Sequence, residues 1–557
     1  MESMSSFPPR LAALALLAYA SPALADDDRD HEHDHEHDPL GLSIRADAEY
    51  RVDTTSIDPF ELGGDDVTRA MWTDQRLRTN VHVKRDETVE LHVQADLLAG
   101  VLFGDTGTYP ETNSGVALAT KQPNTMAWEV GLGDGGDPLD PDAYVPVLRR
   151  ADPVLINHAY GDAFVPVGLI RVGRQPLSYG ANLSSHEGTR INRWGMSRYA
   201  DTVDRVMFAT KLDELYLTLR DGPAHEKNMS QTEGLFFAVF HDWLNQRSIF
   251  SVGDDTRQVG AAVQLRRPEL EVGGVLIEDL FLSAILIHLT DDGFGSTVWA
   301  LPLKAEARSG PLAVSAQVMP IRGRSREVSE GFAALNNTDA RSQKVRSLGA
   351  QAIVDYDIGP LTATLEVDYA SGDDDPRPRT PLTQFSFARD LNVGLLLFEQ
   401  ILAFESARSA AVGIENLAGV DADSFPLTEV ASDGRFHNAI ALFPQVAMRL
   451  VDGRRHRLHT RTGALFAWPA ADGAVDPIMT ILGEDGDEID DDAVNFHGGK
   501  PGTYYGTELD QQIEWTFRDR FIWTLEGAVL LPGSALENEH GEAVPAFLID
   551  NRFTYLF

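Results

Sequence analysis

Apolar and polar residues alternate along most of this chain. From residue 42 to residue 53, apolar side chains occupy the even positions, and charged or hydroxyl-bearing side chains occupy the odd positions. Residues 76–84 and 89–101 repeat the alternation on either side of a short polar turn. Successive side chains of a β-strand point to opposite faces, so each run predicts a strand with one apolar face and one polar face.

The same pattern recurs as far as the C-terminal region. Further alternating runs lie near 203–211, 214–220, 257–266, 296–308, 311–321, 346–357, 360–371, 438–450, 456–467, 503–517 and 521–531, and segments 154–175 and 234–256 are ambiguous. Short polar turns join several pairs, as at 308–311, whereas long acidic loops such as 104–152 and 469–502 separate others. This asymmetry is typical of outer-membrane barrels. We predict an all-β fold, a single antiparallel transmembrane β-barrel of about 18 strands within a range of roughly 16–20.

A soluble β-sandwich or β-helix would produce the same alternation. The length of the runs and the charge on their polar faces favour the barrel, since Glu508, Asp510 and Glu514 share the polar face of one run. Aromatic residues flank one predicted turn, as an interfacial girdle requires: Trp515, Phe517, Phe521 and Trp523.

The C-terminus carries a strand of its own. Phe547, Ile549, Phe553, Tyr555 and Phe557 share one parity. A chain that ends in this way resembles the terminal recognition signal of bacterial outer-membrane β-barrels. The resemblance implies the outer membrane of a Gram-negative bacterium, contact with outer-membrane lipid, and recognition by the barrel-assembly machinery through Phe557.

The N-terminal region indicates export from the cytoplasm. Arg10 precedes an apolar run at 11–20, and a small-residue cleavage site follows at 23–25, so residues 1–25 are predicted to be a secretory signal peptide. The run is too short to span a bilayer as a helix. The barrel is expected to occupy residues 42–557.

The remaining composition narrows the classes of partner. There is no cysteine, so stability must come from burial and hydrogen bonding. With Lys+Arg 47 and Asp+Glu 85, the net charge is −38, and nucleic acid, which needs a basic footprint, is not an expected partner.

Residues 26–41 form an acidic, histidine-rich tail that is expected to be periplasmic. His31, His33, His35 and His37 alternate with carboxylates and are the candidate ligands for Zn²⁺, Ni²⁺ or Cu²⁺. The alternative is a solvated tail that binds no metal. No cofactor is predicted.

The longest insertion, residues 372–437, contains an apolar segment at 393–411. Leu397, Ile401 and Phe404 recur there at helical spacing. A loop of this length with its own helix predicts either an extracellular cap or a plug that enters the lumen.

Arginine is concentrated between residues 171 and 205, where lysine is absent: Arg171, Arg174, Arg190, Arg193, Arg198 and Arg205. Arginine binds carboxylate, phosphate or sulfate through two parallel hydrogen bonds. Tyr179, Trp194 and Tyr199 lie among them and are suited to stack on sugar rings. The alternative is that lumen arginines pair with lumen acids and stiffen the wall.

Two regions resemble alginate-export-like porins. Val172-Gly173-Arg174-Gln175, Arg193-Trp194 and Asp204-Arg205-Val206 look like that family's Gly-Arg-Gln and Trp-loop region. Tyr505 to Asp510, followed by Leu531-Pro532-Gly533, resembles its C-terminal region. The resemblance implies an 18-stranded monomeric barrel with an arginine-lined conduit for an anionic polysaccharide, served by periplasmic export partners. Candidate pore-lining or substrate-binding residues are Arg171, Arg174, Arg193, Arg198, Arg205, Tyr179, Trp194, Glu508 and Asp510.

Two other functions stay open. The first is a general or substrate-selective diffusion porin for small solutes. The second is an outer-membrane enzyme such as a hydrolase, but the chain contains no G-x-S-x-G nucleophile motif, and an enzyme is not predicted.

Overall fold

The computed structural model describes residues 41–62, 65–67, 69–86, 88–104, 129–132, 144–147, 152–177, 183–188, 192–197, 201–222, 225, 228, 230, 232–244, 256–335, 339–375, 377, 379–417, 432, 434–483 and 492–557. The predicted signal peptide and the histidine-rich tail up to residue 40, with His31, His33, His35 and His37, lie outside these residues.

Strands dominate the described residues. In chain order the barrel strands are β1 Leu42–Asp58, β2 Ala70–Arg85, β3 Val89–Gly104, β4 Asp152–Val165, β5 Gly168–Pro176, β6 Thr202–Lys211, β7 Gly234–Trp243, β8 Arg257–Val272, β9 Val275–Asp291, β10 Ser296–Ala300 with its continuation Leu303–Ser309, β11 Leu312–Ser325, β12 Gln343–Ile358, β13 Leu361–Ala370, β14 Ala439–Asp452, β15 His456–Pro469, β16 Gly506–Phe517, β17 Phe521–Pro532 and β18 Ala546–Leu556. Two short hairpins lie outside the barrel wall, Phe60–Leu62 with Asp65–Val67 and Glu129–Leu132 with Tyr144–Val147.

The sheet is closed. Each strand pairs antiparallel with the next, and β18 returns to β1 in a register that places Tyr50 opposite Tyr555. Both halves of β10 lie between β9 and β11, so they count as one interrupted strand. The prediction of about 18 antiparallel strands in a single barrel is therefore confirmed.

The two ends of the barrel differ. Turns of two or three residues, such as 273–274, 310–311 and 518–520, occupy the end that also carries both ends of the barrel chain. The connections 59–69, 105–151, 177–201, 371–438 and 470–505 leave the opposite end. Short periplasmic turns and long extracellular loops are the rule for outer-membrane barrels, so the long connections are extracellular.

The outer wall is apolar and the inner wall is polar. On β18, Ile549 and Tyr555 are 60% and 40% exposed, whereas Asp550 and Arg552, which point inward, are buried. Near the periplasmic turn, the Phe521 ring lies 5.1 Å from Tyr555 and 5.8 Å from Trp515 between ring centroids, as in an interfacial aromatic girdle. A closed barrel with a lipid-facing apolar wall satisfies every backbone group internally, and its place is the Gram-negative outer membrane.

The helices lie in the connections. They are α1 Leu212–Asp221 between β6 and β7, α2 Glu327–Leu335, α3 Leu402–Leu417, which a π-helical turn at Leu397–Ile401 precedes, and α4 Pro477–Gly483; a short 3₁₀ turn spans Ser534–Leu536. Helix α3 confirms the helical segment predicted in the longest loop. Among the described residues, none of the helices combines the length and the hydropathy needed to cross a membrane.

One predicted strand is wrong, because residues 214–220 belong to α1. The leucines alternate over this run, yet Leu212, Leu215 and Leu219 also follow helical spacing, and so short a run does not separate the two periods. Acidic residues in its first turn and Arg220 in its last favour the helix.

The sequence pattern predicts no strand at the position of β9, and the reason is different. Leu282 and Leu286 face outward, but Ile285 and Ile287, which face inward, are apolar and buried as well. With apolar residues on both faces, the alternation that marks the other strands disappears. The ambiguous segment at 154–175 forms β4 and β5, and residues 234–243 form β7.

Candidate functional site

The lumen wall carries bidentate arginine–aspartate pairs. Each joins two neighbouring strands through two hydrogen bonds of 2.6–2.8 Å, and both partners are buried: Arg78 with Asp96, Arg171 with Asp162, and Arg205 with Asp242. Two of the arginines predicted to line the pore, Arg171 and Arg205, therefore lie on the inner face of the barrel. Their guanidinium groups already pair with carboxylates of the wall.

Beside Arg171, aromatic rings form a stack along the inner wall. The guanidinium of Arg171 lies 4.3 Å from the Tyr160 ring centroid, Tyr160 stacks on His92 at 4.7 Å, and His92 stacks on His82 at 4.2 Å. Gly173 lies opposite Tyr160 on β5 with a φ of +127°, and a Cβ there would come within 2.8 Å of the Tyr160 Cα. Glycine at this position therefore lets β5 lie close to the backbone of β4 at Tyr160.

The same stack contains the one group of three potential metal ligands among the described residues. His82, Glu90 and His92 place one ligand atom each within 4.8 Å of the others. Glu90 Oε2 lies 3.1 Å from His82 Nε2, and Glu90 Oε1 lies 3.5 Å from the Lys84 ammonium. Because Lys84 already neutralises this carboxylate, the group is an ion-paired ladder that a metal ion would have to disrupt.

Arg174 points away from the lumen. It shares the outward parity of Val172, which is half-exposed, and pairs with Asp204 on the outer wall of β6 at 2.9 Å and 3.1 Å. Both side chains are more than a third exposed. The expectation that Arg174 lines the conduit with Arg171 therefore conflicts with the strand parity, because an odd separation places the two residues on opposite faces.

A segment of the third long connection, residues 192–197, crosses the lumen; we call it the L3 segment. It leaves the barrel between β5 and β6, and Arg193 pairs with Asp355 of β12 at 2.8 Å and 3.0 Å. The carbonyl of Arg193 accepts hydrogen bonds from Arg461 on β15 and Gln512 on β16. The L3 segment is thus tied to the wall opposite its origin.

Trp194 anchors the centre of the L3 segment. Its ring is fully buried, stacks on Phe443 of β14 at 5.7 Å, and donates from Nε1 to Gln445 at 3.2 Å. The next amide, Gly195 N–H, donates to Glu526 of β17 at 3.0 Å. Trp194 lies inside the barrel, but its ring is covered, so no face of the ring is free to stack on a sugar.

The longest connection also enters the lumen; residues 385–409 are called the L7 segment. Glu508 of β16 accepts three successive backbone N–H groups of this segment, from Leu395 at 2.6 Å, Leu396 at 2.8 Å and Leu397 at 2.7 Å. These donors open the helical stretch that continues as α3, and a carboxylate at a helix N-terminus is favoured by the helix dipole. Glu508 is therefore a loop anchor on the lumen wall.

The L3 and L7 segments hold each other. Asn192 donates to the carbonyl of Asp390 at 2.9 Å, and Asn392 donates to the carbonyl of Trp194 at 3.1 Å. A phenylalanine cluster supports the L7 segment, with Phe398 at 4.6 Å from Phe436 and Phe404 stacked on Phe60 at 5.1 Å. The two segments form one packed unit.

Helix α4, which lies in the 470–505 connection, supports α3 through Asp476. Its Oδ1 accepts the backbone N–H groups of Ile478 and Met479, which cap α4, and the hydroxyl of Ser409 on α3 at 2.5 Å. Burial raises the pKa of the Asp476 carboxyl to about 6.

Acidic side chains are also concentrated on the inner faces of five other strands. They project inward from β13, β16, β17, β18 and β1, and all are buried: Glu366, Asp368, Glu508, Asp510, Glu526, Asp550 and Asp53. Arg552 pairs with Glu526 at 2.6 Å, and Arg193 and Arg461 lie nearby. Asp510, a predicted pore-lining residue, is buried on the same inward face of β16 as Glu508.

A serine–histidine contact in the third connection tests the enzymatic alternative. Ser197 Oγ lies 3.2 Å from His186 Nε2, but His186 Nδ1 accepts the backbone N–H of Gly188 at 2.9 Å. In a neutral ring only one nitrogen carries a proton, so Nε2–H donates to Ser197. His186 is then unable to remove the Ser197 proton, and the contact does not activate a nucleophile.

Several predicted residues lie outside the described part of the chain: Tyr179, Arg190, Arg198 and Tyr199. Conversely, the sequence does not predict which residues of the barrel wall bind the L3 segment. Asp355, Gln445 and Glu526 share the polar parity of their strands, which indicates that they face the lumen. Parity does not indicate which loop each would contact.

No family model matches this chain, and no curated protein matches it. Among solved structures, it is similar to OccAB1 of Acinetobacter baumannii, with 10% identity and a TM-score of 0.44 over 92% of this chain and 97% of the other. It is similar to OccK2 (OpdF) of Pseudomonas aeruginosa in complex with glucuronate, with 12% identity and a TM-score of 0.43 over 92% and 98%. The outer membrane protein opdK of Pseudomonas aeruginosa shows 12% identity and a TM-score of 0.40 over 92% and 99%. At these TM-scores, the fold rests on the barrel's own strand pairing.

Proposed function

We propose that this protein is a substrate-selective outer-membrane porin through which small hydrophilic solutes diffuse. The observation that carries the proposal is the docking of the L3 and L7 segments on the inner wall. An 18-stranded barrel encloses an aqueous lumen unless loops close it. Here Arg193, Trp194 and Gly195 bind the wall opposite their origin, and Glu508 fixes the L7 segment beside them.

Two docked segments favour small solutes over a polymer. Solutes then pass through the part of the lumen that the packed L3 and L7 segments leave open. The width of this opening and the charged groups around it determine selectivity. A single closed barrel suffices for this passive mechanism, and no chemical step is part of it.

The lumen charges favour cations over anions. Arg171 and Arg205 are neutralised by bidentate aspartates, and Arg174 lies on the outer wall. Among the buried side chains of the barrel strands, acidic residues such as Glu508 and Glu526 outnumber arginines. A lumen with an excess of acid concentrates cations and repels anions.

Export of an anionic polysaccharide, which the resemblance to alginate-export-like porins implies, is less well supported. That function calls for arginines that are free to bind the polymer along an open conduit. Arg171 and Arg205 are engaged with carboxylates instead, and the ring of Trp194 is covered by Phe443.

Planar-bilayer recordings in asymmetric KCl test the proposal. We expect a small single-channel conductance and a reversal potential whose sign indicates preference for K⁺ over Cl⁻. A strongly anion-selective pore would overturn the charge argument. A pore closed to salt until a periplasmic partner is added would favour the exporter instead.

A further inference from the structure

Four basic side chains form a patch on the outer wall of the barrel: Arg322 and Arg324 of β11, and Lys344 and Arg346 of β12. All four are exposed. In the strand register Arg322 lies directly opposite Arg346, and Arg324 lies directly opposite Lys344. Like charges in directly opposed positions destabilise a sheet. We refer to these four residues as the basic patch.

Strand parity places the basic patch on the lipid side rather than in the lumen. The alternate residues Ser325, Gln343 and Ser347 are buried and face inward. Further along the same outer face, Val314 and Tyr356 are exposed apolar residues of the lipid-facing wall. The basic patch therefore continues the outer wall beyond its apolar part, at the end that carries the 326–342 connection.

A tryptophan indicates the depth of the patch. Trp299 of β10 lies opposite Arg322, is 47% exposed on the outer wall, and stacks on His288 at 4.2 Å. Exposed tryptophans of membrane proteins concentrate at the level of the lipid headgroups. Arg322 is thus at headgroup depth, and Arg324 and Lys344 lie one pleat further out, all on the extracellular side.

The patch has no acidic counterpart within the described part of the chain. Arg322 Nη1 donates to the carbonyls of Ile321 at 2.9 Å and Ser347 at 3.4 Å, and none of the four forms an ion pair there. By contrast, nearby Arg326 pairs with Glu330 at 3.5 Å. In a chain with a net charge of −38, four adjacent cations without acids indicate an anionic partner supplied from outside.

We propose that the basic patch binds the phosphate groups of a phosphorylated glycolipid in the outer leaflet. Arginine matches phosphate with parallel hydrogen bonds, and an ammonium group adds a point charge. The acyl chains of such a lipid would lie along the apolar outer wall just below the patch, beside Val318 and Leu348. This lateral lipid site is separate from the lumen and is independent of the solute that the channel conducts.

Binding of bisphosphorylated lipid A to the full-length protein in detergent, followed by native mass spectrometry, tests the proposal. The test variant carries Arg322→Gln, Arg324→Gln, Lys344→Gln and Arg346→Gln. The matched control removes four exposed arginines from the periplasmic turns: Arg454→Gln, Arg455→Gln, Arg518→Gln and Arg520→Gln. Both variants change the net charge equally, and heat-modifiable migration in gels verifies that each barrel folds.

We expect the patch variant to bind lipid A at least about tenfold more weakly than the wild type and the periplasmic control. Dephosphorylated lipid A should bind the wild type as weakly as lipid A binds the patch variant. Equal affinity of wild type and patch variant would overturn the proposal, as would equal binding of the dephosphorylated lipid. Full displacement of lipid A by millimolar inorganic phosphate would show that the site recognises the free anion and not a lipid.

Discussion

Glu508 shows how one carboxylate can fix the position of a long loop. Its two oxygens accept three consecutive backbone N–H groups that begin a helical stretch and have no acceptor within it. Left without an acceptor in a buried site, each such donor costs about 1–3 kcal/mol. The anchored end of the L7 segment therefore depends on this side chain.

We expect Glu508→Gln to loosen the L7 segment and raise the single-channel conductance. The amide retains one acceptor oxygen, but its NH₂ group faces the Leu397 N–H and leaves that donor unsatisfied, at a cost of about 1–3 kcal/mol. Single-channel recording measures the change. Glu514→Gln is the matched control, because Glu514 faces the lumen from the same strand and has no hydrogen bond to the L7 segment in the described structure. Equal conductance of the two variants would contradict the anchoring role.

Arg193 and Arg174 should behave differently although both pair with aspartate. Arg193→Ala exposes Asp355 in the lumen, so the reversal potential in asymmetric KCl should move toward stronger cation preference. Arg174→Ala alters an exposed pair on the outer wall, a kind of pair worth at most about 1 kcal/mol, and should change neither conductance nor selectivity. A change of selectivity in Arg174→Ala as large as that in Arg193→Ala would contradict the assigned faces.

At this scale, parity predicts much of the site once the strands are known. Glu508, Asp510, Arg171 and Arg205 all face the lumen, as the alternation implies. The arginine cluster and the resemblance to alginate-export-like porins group Arg174 with Arg171, and neither of them takes strand parity into account. With β5 recognised, the odd separation alone assigns Arg174 to the outer wall.

At the scale of elements, the junction of α3 and α4 should respond to pH through Asp476. The carboxyl of an accessible aspartate has a pKa of about 4, whereas burial raises the pKa of Asp476 to about 6. Between about pH 4 and about pH 6, the Asp476 carboxyl is therefore protonated in the packed junction and deprotonated once the helices separate. Its stability is fully present below about pH 4, falls as the pH rises through about 6, and is constant above, with a total change on the order of 3 kcal/mol. Burial also raises the pKa of Asp373, in the same connection as α3, to about 6.

Hydrogen exchange of the α3 backbone at pH 5 and pH 8 measures this effect. After correction for intrinsic exchange, protection of residues 402–409 should be greater at pH 5. Asp476→Asn keeps a capping acceptor for α4 but cannot titrate, so the difference between the two pH values should shrink. An unchanged pH dependence in Asp476→Asn would show that other groups are responsible.

The elements themselves differ in how far the sequence predicts them. Strands with one polar face, such as β12 and β16, follow directly from alternation. The pattern does not predict strand β9, because the inner face of this strand is apolar too. It predicts a strand in place of α1, because the short leucine run fits both periods. It does predict helix α3, because the apolar residues of this helix continue over several turns.

For the whole molecule, closure and sidedness were predictable, but loop docking was not. Alternation and the contrast of short turns with long loops are local properties of the sequence. The contacts that place the L3 and L7 segments join residues far apart in the chain, with a sequence separation of 331 residues for Gly195 and Glu526 and of 113 residues for Leu395 and Glu508. Local periodicity contains no information about such pairs.

The size of solute that the lumen admits tests the central claim most directly. Liposomes containing the wild-type protein, or a variant that lacks residues 376–434, are placed in isosmotic solutions of glucose oligomers of increasing length, and the rate of swelling is recorded. We predict that glucose enters both, whereas the longer oligomers enter only through the deletion variant, because it lacks α3 and its surroundings. Rapid entry of the longest oligomers through the wild type, at the rate of the deletion variant, would contradict a lumen narrowed by its own loops.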